Sequence, residues 1–420
     1  MKNQKIIIAH PGKQHSYYSA NALVSNGFNV TYITTVYNKE GSWTRKLKSI
    51  FLKGDNLIRA NSRKCDWLDD DQVKQFCELS SLVTLLLLRI DKNKKIYRVW
   101  NNLVFRRFGI KVAKYAIKNK CNAVIMYDAN AKSCFEYLKK KKSSIIKILD
   151  VSIASRPYQK YVYEEDIRKT GLIGLKDEQV FLWKQKYQEY YKKEIALSDY
   201  FICPSEFVKK SLLYSGASEN RIYKVPYGVQ LDKFTYCERK IEQGPLHLVM
   251  AGQVNYRKGI HHILNVLKNY SPEEVKLVLF GSLNRTDPYI ANNCNIPTIE
   301  YRGFVTQDKI IEEYKKSDAY LFPSMCEGLS LSVLEAMSSG LPVIVSDHSG
   351  ANDLIKDGVN GMVFTAGNDE ELKRVINWFI HNKNKLKEMG HNARATATIY
   401  SWDNYSMNYS NAVKKIVYKR

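Results

Sequence analysis

Two carboxylates, Glu327 and Glu335, stand eight positions apart in the run from Cys326 to Ile344, CEGLSLSVLEAMSSGLPVI. Gly328 permits close backbone approach, and the residues after it open a helix that Gly340 and Pro342 end. The free N–H groups and dipole of a helix start make an anion site, so Gly328, Leu329 and Ser330 mark a place for phosphate. At about 1.5 Å of rise per residue, Glu335 lies roughly 9 Å along the axis from the helix start, while Glu327 stays in the loop. That spacing allows one acid to sit near the sugar side of a diphosphate and the other near its ribose side. Two acids at this spacing are ordinarily just solvated. Glu335, however, interrupts the apolar run Val333 to Met337, where an ionised carboxylate needs a partner.

The elements that position these residues read as strands alternating with helices. The apolar run Leu246 to Gly252 leads into Gln253-Val254-Asn255-Tyr256-Arg257-Lys258-Gly259 and then a helix from Ile260. Further strands are expected at 276–280, 299–304, 319–322 and 342–346, which predicts a parallel sheet. The N-terminus repeats the pattern: Ile6 to Ala9, then His10-Pro11-Gly12-Lys13-Gln14-His15-Ser16, a helical stretch and a second strand over 28–34. Strands at 123–127 and 145–149 end in Asp128 and Asp150, where polar groups line the crevice of a doubly wound domain. A chain of 420 residues is too long for one ordinary core. The expectation is two domains, residues 1–236 and 245–399, with a terminal helix at about 400–420 crossing back to the first.

The run from Glu327 to Val343 resembles the donor site of family 4 glycosyltransferases, a retaining GT-B family, whose pattern is E-G-x-G/S-L-x-x-x-L-E-A-M-x-x-G-x-P-V. Residues 197–208 and 225–234 also resemble segments of that family. The resemblance implies a GT-B fold of two Rossmann-like domains facing a cleft. It implies a retaining transferase that takes a nucleoside-diphosphate sugar, UDP- or GDP-linked, and needs no metal or other cofactor. By resemblance Glu327 touches the sugar, Glu335 accepts from the ribose, and Leu329 and Ser330 meet the diphosphate. Lys258-Gly259 matches the family's G-R-x-x-x-x-K-G, in which Arg and Lys hold the diphosphate. Gln253 stands where the Arg is usual, and Arg257, next to Lys258, is the candidate substitute, since Arg grips two phosphate oxygens. Gly303 and Phe304 resemble the loop that reads the base. In the first domain Gly12 approaches the diphosphate, and His15 and Asp150 join Glu327 as catalytic candidates, with His10 and Asp128 nearby. Epimerisation, a soluble acceptor or a noncatalytic binding role on the same scaffold are the alternatives.

Charge is divided unevenly. Residues 1–240 hold 45 Lys and Arg against 23 Asp and Glu, while residues 241–420 hold 20 against 19. No nucleic-acid-binding motif accompanies the excess, so nucleic acid is not an expected partner. An anionic membrane surface is, with a glycan or lipid-linked glycan as acceptor. Aromatics mixed with cations at 43–51 and 97–114 are the expected docking segments: Trp43, Arg45, Lys46, Lys48 and Phe51, then Tyr97, Trp100, Phe105 and Phe108 among Arg98, Arg106, Arg107, Lys111 and Lys114. The longest aliphatic run, Leu82 to Leu88, is too short to span a bilayer. Eight scattered cysteines and no evident signal peptide predict a cytoplasmic protein, peripheral on the membrane's inner face. Asp69-Asp70-Asp71 reads as a helix start rather than a metal site.

Overall fold

The structure is a computed structural model that describes residues 4–46, 63–238 and 243–418. The first sheet contains β1 (Lys5–Ala9), β2 (Asn29–Thr34), β3 (Val73–Gln75), β4 (Ala123–Tyr127), β5 (Ile146–Asp150), β6 (Tyr200–Cys203) and β7 (Ile222–Lys224), in the order β3-β2-β1-β4-β5-β6-β7. The second contains β8 (Leu246–Ala251), β9 (Val275–Phe280), β10 (Ile299–Gly303), β11 (Ala319–Phe322), β12 (Val343–Ser346) and β13 (Gly361–Phe364), in the order β10-β9-β8-β11-β12-β13. Every pairing is parallel. Helices cover both faces, which is why the central strands are unbroken apolar runs, buried throughout in β4 and β12.

In both sheets the strand order reverses beside the first strand, between β1 and β4 and between β8 and β11. The crevice outside the C-terminal strand ends opens at such a reversal. The loops after these four strands are the ones that carry His10 to His15, Asp128, Arg257 with Lys258, and Glu327.

Two expectations need correction. Tyr97, Trp100 and Phe105 are half-buried and Phe108 is fully buried, so the aromatics at 97–108 do not form the outward-facing surface that was expected. Trp43 is exposed, whereas Lys48 and Phe51 lie outside the described residues. The strand β3 was also not expected, because three residues paired only at a sheet edge leave no periodic pattern. Asp70 and Asp71 do begin a single helical turn, Asp70–Gln72, and Gln72 accepts the Asp69 N–H at 3.0 Å.

The last helix, Trp402–Tyr418, packs on the first helix of the chain, Ser16–Ser25. The Trp402 ring stacks on Tyr18 at 3.6 Å, Tyr405 OH lies 2.9 Å from Ser19 Oγ, and Tyr409 OH donates to Asp150 at 2.9 Å. Removing that hydroxyl in Tyr409→Phe leaves a carboxylate that is 2% exposed short of one donor, so urea unfolding should show a loss of about 1–3 kcal/mol. An unchanged midpoint would mean that Asp150 is satisfied without Tyr409.

Candidate functional site

The cations of the second domain are placed by local turn chemistry. Asn255 accepts the Lys258 N–H at 3.1 Å and closes a tight turn over Tyr256–Lys258. Gly259 follows at φ 79°, where a β-carbon would collide with the Pro323 carbonyl. This contact brings the loop after β8 against the loop after β11. Lys258 Nζ therefore lies 2.8 Å from Glu327 Oε1, and the Arg257 guanidinium binds the same oxygen. The three side chains are only 12–17% exposed. Burial pushes the Lys258 ammonium well below its usual range, with the Arg257 charge adding to the effect. The Glu327 carboxylate opposes that shift, and the Phe322 ring lies 4.4 Å from Nζ.

Gly328 has a different neighbour from the one its sequence suggests. A β-carbon there would collide with the Ser152 carbonyl of the first domain, and Ser205 Oγ donates to the Gly328 carbonyl at 2.6 Å. The close approach that needs glycine is thus domain against domain. Leu329 and Ser330 are buried at the start of the helix Leu331–Ser338, and Glu335 points from its second turn toward Gln307, at 3.4 Å. Burial raises the Glu335 carboxyl to about 7, against the pull of Lys233. Gly303 ends β10 at φ 66° with its carbonyl taken by the Gly281 N–H, and Phe304 is 82% exposed.

In the first domain His15 and Asp150 meet across 135 positions of sequence, Nε2 to Oδ1 at 3.1 Å. With Tyr409 on its other oxygen, Asp150 fixes the His15 ring between Tyr127 and Tyr227. His10 is buried, which pulls it down to about 4, and its Nδ1 accepts the Gly12 N–H at 2.9 Å. Gly12 is therefore held inside its own loop. Asp128 accepts from the Ser152 N–H and hydroxyl at 3.0 and 2.7 Å, steadying the residue that faces Gly328.

Sequence reasoning missed the residues that tie the domains together. Glu178 of the first domain accepts the Tyr256 and Arg257 N–H groups at 2.9 and 3.3 Å. Asp166, on the helix Arg156–Thr170, meets His262 Nε2 and His261 Nε2 at 3.0 Å each, and His262 Nδ1 lies 2.7 Å from Asp369. Burial works against charge here, yet the two aspartates carry His262 up to about 9 and the two imidazoles hold Asp166 well below the usual carboxylate range. Asp166, His261 and His262 have metal-ligand spacing, but their facing atoms already pair with one another. The adjacent His-His at 261–262 was the available signal. Among the described residues Asp69, Asp70 and Asp71 join no such cluster.

Residues 238–396 match the model of the family described as Glycosyl transferases group 1. An uncharacterized glycosyltransferase of Methanocaldococcus jannaschii is 29% identical over 229 residues, covering 50% of this chain and 58% of that protein. The capsular polysaccharide biosynthesis glycosyltransferase CapM of Staphylococcus aureus is 26% identical over 260 residues, covering 56% and 66%. The chain spans about half the length of the curated relatives it matches. Among solved structures, the lipopolysaccharide outer core galactosyltransferase WaaB in its apo form superposes with a TM-score of 0.62 over 98% of this chain and 100% of that one, at 17% identity. The fold is GT-B.

The position of Glu335 sets a pH dependence. Its folded-state pKa is raised from 4.5 to about 7, so the neutral acid contributes stability that is fully present below the lower value and lost as pH rises through the upper one. Thermal melts of the free protein between about pH 5 and about pH 8 should therefore fall more for wild type than for Glu335→Gln. Parallel curves would show Glu335 titrating as a solvated acid.

Proposed function

We propose that this chain, with its glycosyl transferases group 1 region on a GT-B scaffold, is a retaining, metal-independent glycosyltransferase. It moves a sugar from a UDP- or GDP-linked donor to a glycan or lipid-linked glycan in cell-surface polysaccharide or lipopolysaccharide synthesis. The observation that carries this reading is the single Glu327 oxygen shared by Arg257 and Lys258 at the sheet's reversal point. The names of CapM and WaaB support the acceptor class.

Breaking a glycosyl–phosphate bond develops negative charge on the departing diphosphate and positive charge on the sugar. Fixed charges aimed at both stabilise the transition state more than the ground state. Arg257, Lys258 and the helix start at Ser330 serve the diphosphate, and Glu327 holds the sugar. Glu335 takes the ribose hydroxyls, and Gly303 with Phe304 flanks the base. On the facing domain His15, fixed by Asp150, contacts the sugar. The acceptor oxygen bonds to the anomeric carbon from the face the phosphate leaves, and its proton passes to that phosphate. The two protein cations do the work a metal does in other transferases. The protein works on the cytoplasmic face of an anionic membrane.

Glu327→Ala should nearly abolish transfer while nucleoside diphosphate still binds, because the variant frees both cations for phosphate. Near-normal turnover would remove the central assignment. Calorimetric titration of Lys258→Ala with the same ligand should show about 1.5–3 kcal/mol less binding energy, roughly ten- to a hundred-fold in affinity. An unchanged isotherm would place the diphosphate elsewhere. Turnover should persist in EDTA, whereas inhibition reversed by Mg²⁺ or Mn²⁺ would require a metal.

A further inference from the structure

The helix Glu78–Ile90 is built inside out. Its buried residues are Ser81 and Thr84, while Leu86, Leu88 and Ile90 are 44–62% exposed. It forms a hairpin with the helix Lys95–Lys118, on which Ile96, Val99 and Leu103 are 46–65% exposed. The hairpin is closed by Trp100, whose Nε1 donates to the Ser80 carbonyl at 2.9 Å, and by Asp91, which accepts the Tyr97 N–H at 2.8 Å. It is therefore a defined element and not a loose loop. Soluble surfaces rarely leave so many large aliphatic side chains together in water, and such a patch marks an interaction site.

Its place follows from the topology. The first helix leaves the C-terminal end of β3, on the crevice side of the sheet, and its 13 residues carry the chain about 20 Å onward. The second returns the chain to the start of β4 and buries only its later part, from Val104 through Phe108, Val112 and Ala116. The tip therefore stands beyond the rim of the cleft on the first-domain side.

Charge identifies the occupant. Residues 78–118 hold ten Lys and Arg against Glu78 and Asp91, and the tip carries Arg89, Lys92, Lys94, Lys95 and Arg98 around the aliphatic side chains. A second copy docked face to face would set these cations against their own kind. An anionic bilayer offers both complements, hydrocarbon for the leucines and isoleucines and phosphate for the cations. We propose that the tip of this hairpin, through Leu86, Ile90, Ile96 and Val99, inserts shallowly into an anionic membrane and sets the cleft mouth at headgroup level. The partner is the one expected from the first domain's charge, but the inserting groups are aliphatic and lie on both helices, whereas the expectation placed aromatics at 97–108. The proposal takes its purpose, though not its test, from the transferase reading.

The full chain is sedimented with vesicles of 30% phosphatidylglycerol in phosphatidylcholine and with pure phosphatidylcholine, at low salt. Wild type should pellet with the first and not the second. Leu86→Asp combined with Val99→Asp should weaken the partition at least tenfold, while its melting temperature and its stabilisation by nucleoside diphosphate stay those of wild type. Lys92→Gln combined with Lys95→Gln should weaken it and remove part of its salt dependence. Equal wild-type recovery in both supernatants, or unchanged binding by the aspartate variant, overturns the proposal. So does a dimer by light scattering that the aspartate variant dissolves, which gives the patch to a second copy. Release of nucleoside diphosphate from donor by hydrolysis, measured without vesicles, reports on the transferase reading alone.

Discussion

Two cations buried side by side are unstable unless an anion joins them, and the second domain is organised around that requirement. Removing charge from water costs far more than a surface pair returns, so a buried Lys258 beside Arg257 demands Glu327 at contact distance. Three features meet it. The strand reversal puts the loops after β8 and β11 side by side, Gly259 lets them touch, and Asn255 fixes the turn. The two cations and the carboxylate are thereby held in one fixed arrangement by the fold itself.

The second domain was far more legible than the first. From Glu327 to Val343 every informative residue is close in sequence, because a helix start, a turn and a strand are local devices. Lys258 was legible for the same reason. The residues that complete the site from a distance left no such trace. His15 and Asp150 were each visible as polar ends of strands, but their pairing depends on β1 and β5 lying two strands apart in one sheet, and Tyr409 reaches Asp150 from 259 positions away. Gly328 shows the limit of reading a glycine. Its need for space was evident, while the Ser152 carbonyl that takes the space belongs to another domain.

Composition misled most where it was strongest. The basic, aromatic stretch at 97–114 suggested rings facing outward, yet a helix returning along a sheet must bury its bulkiest stripe, and Phe108 belongs to it. The aliphatic run at 82–88 reads as a core helix by hydropathy alone. Its Val83, Leu86 and Leu88 are exposed because the helix follows the short edge strand β3 and projects past the sheet.

Asp166 is held by His261 and His262, which begin the helix immediately after Lys258 and Gly259. The same residues that fasten one domain to the other therefore also anchor the segment that presents the cations. Separating the domains would leave a carboxylate and an imidazolium without each other, a state that must be rehydrated before it is tolerable. The turn that carries Arg257 and Lys258 is thus clasped from the first domain on both sides, by Glu178 before it and by Asp166 after it, so the spacing of the two cations is a property of the domain interface as much as of their own loop.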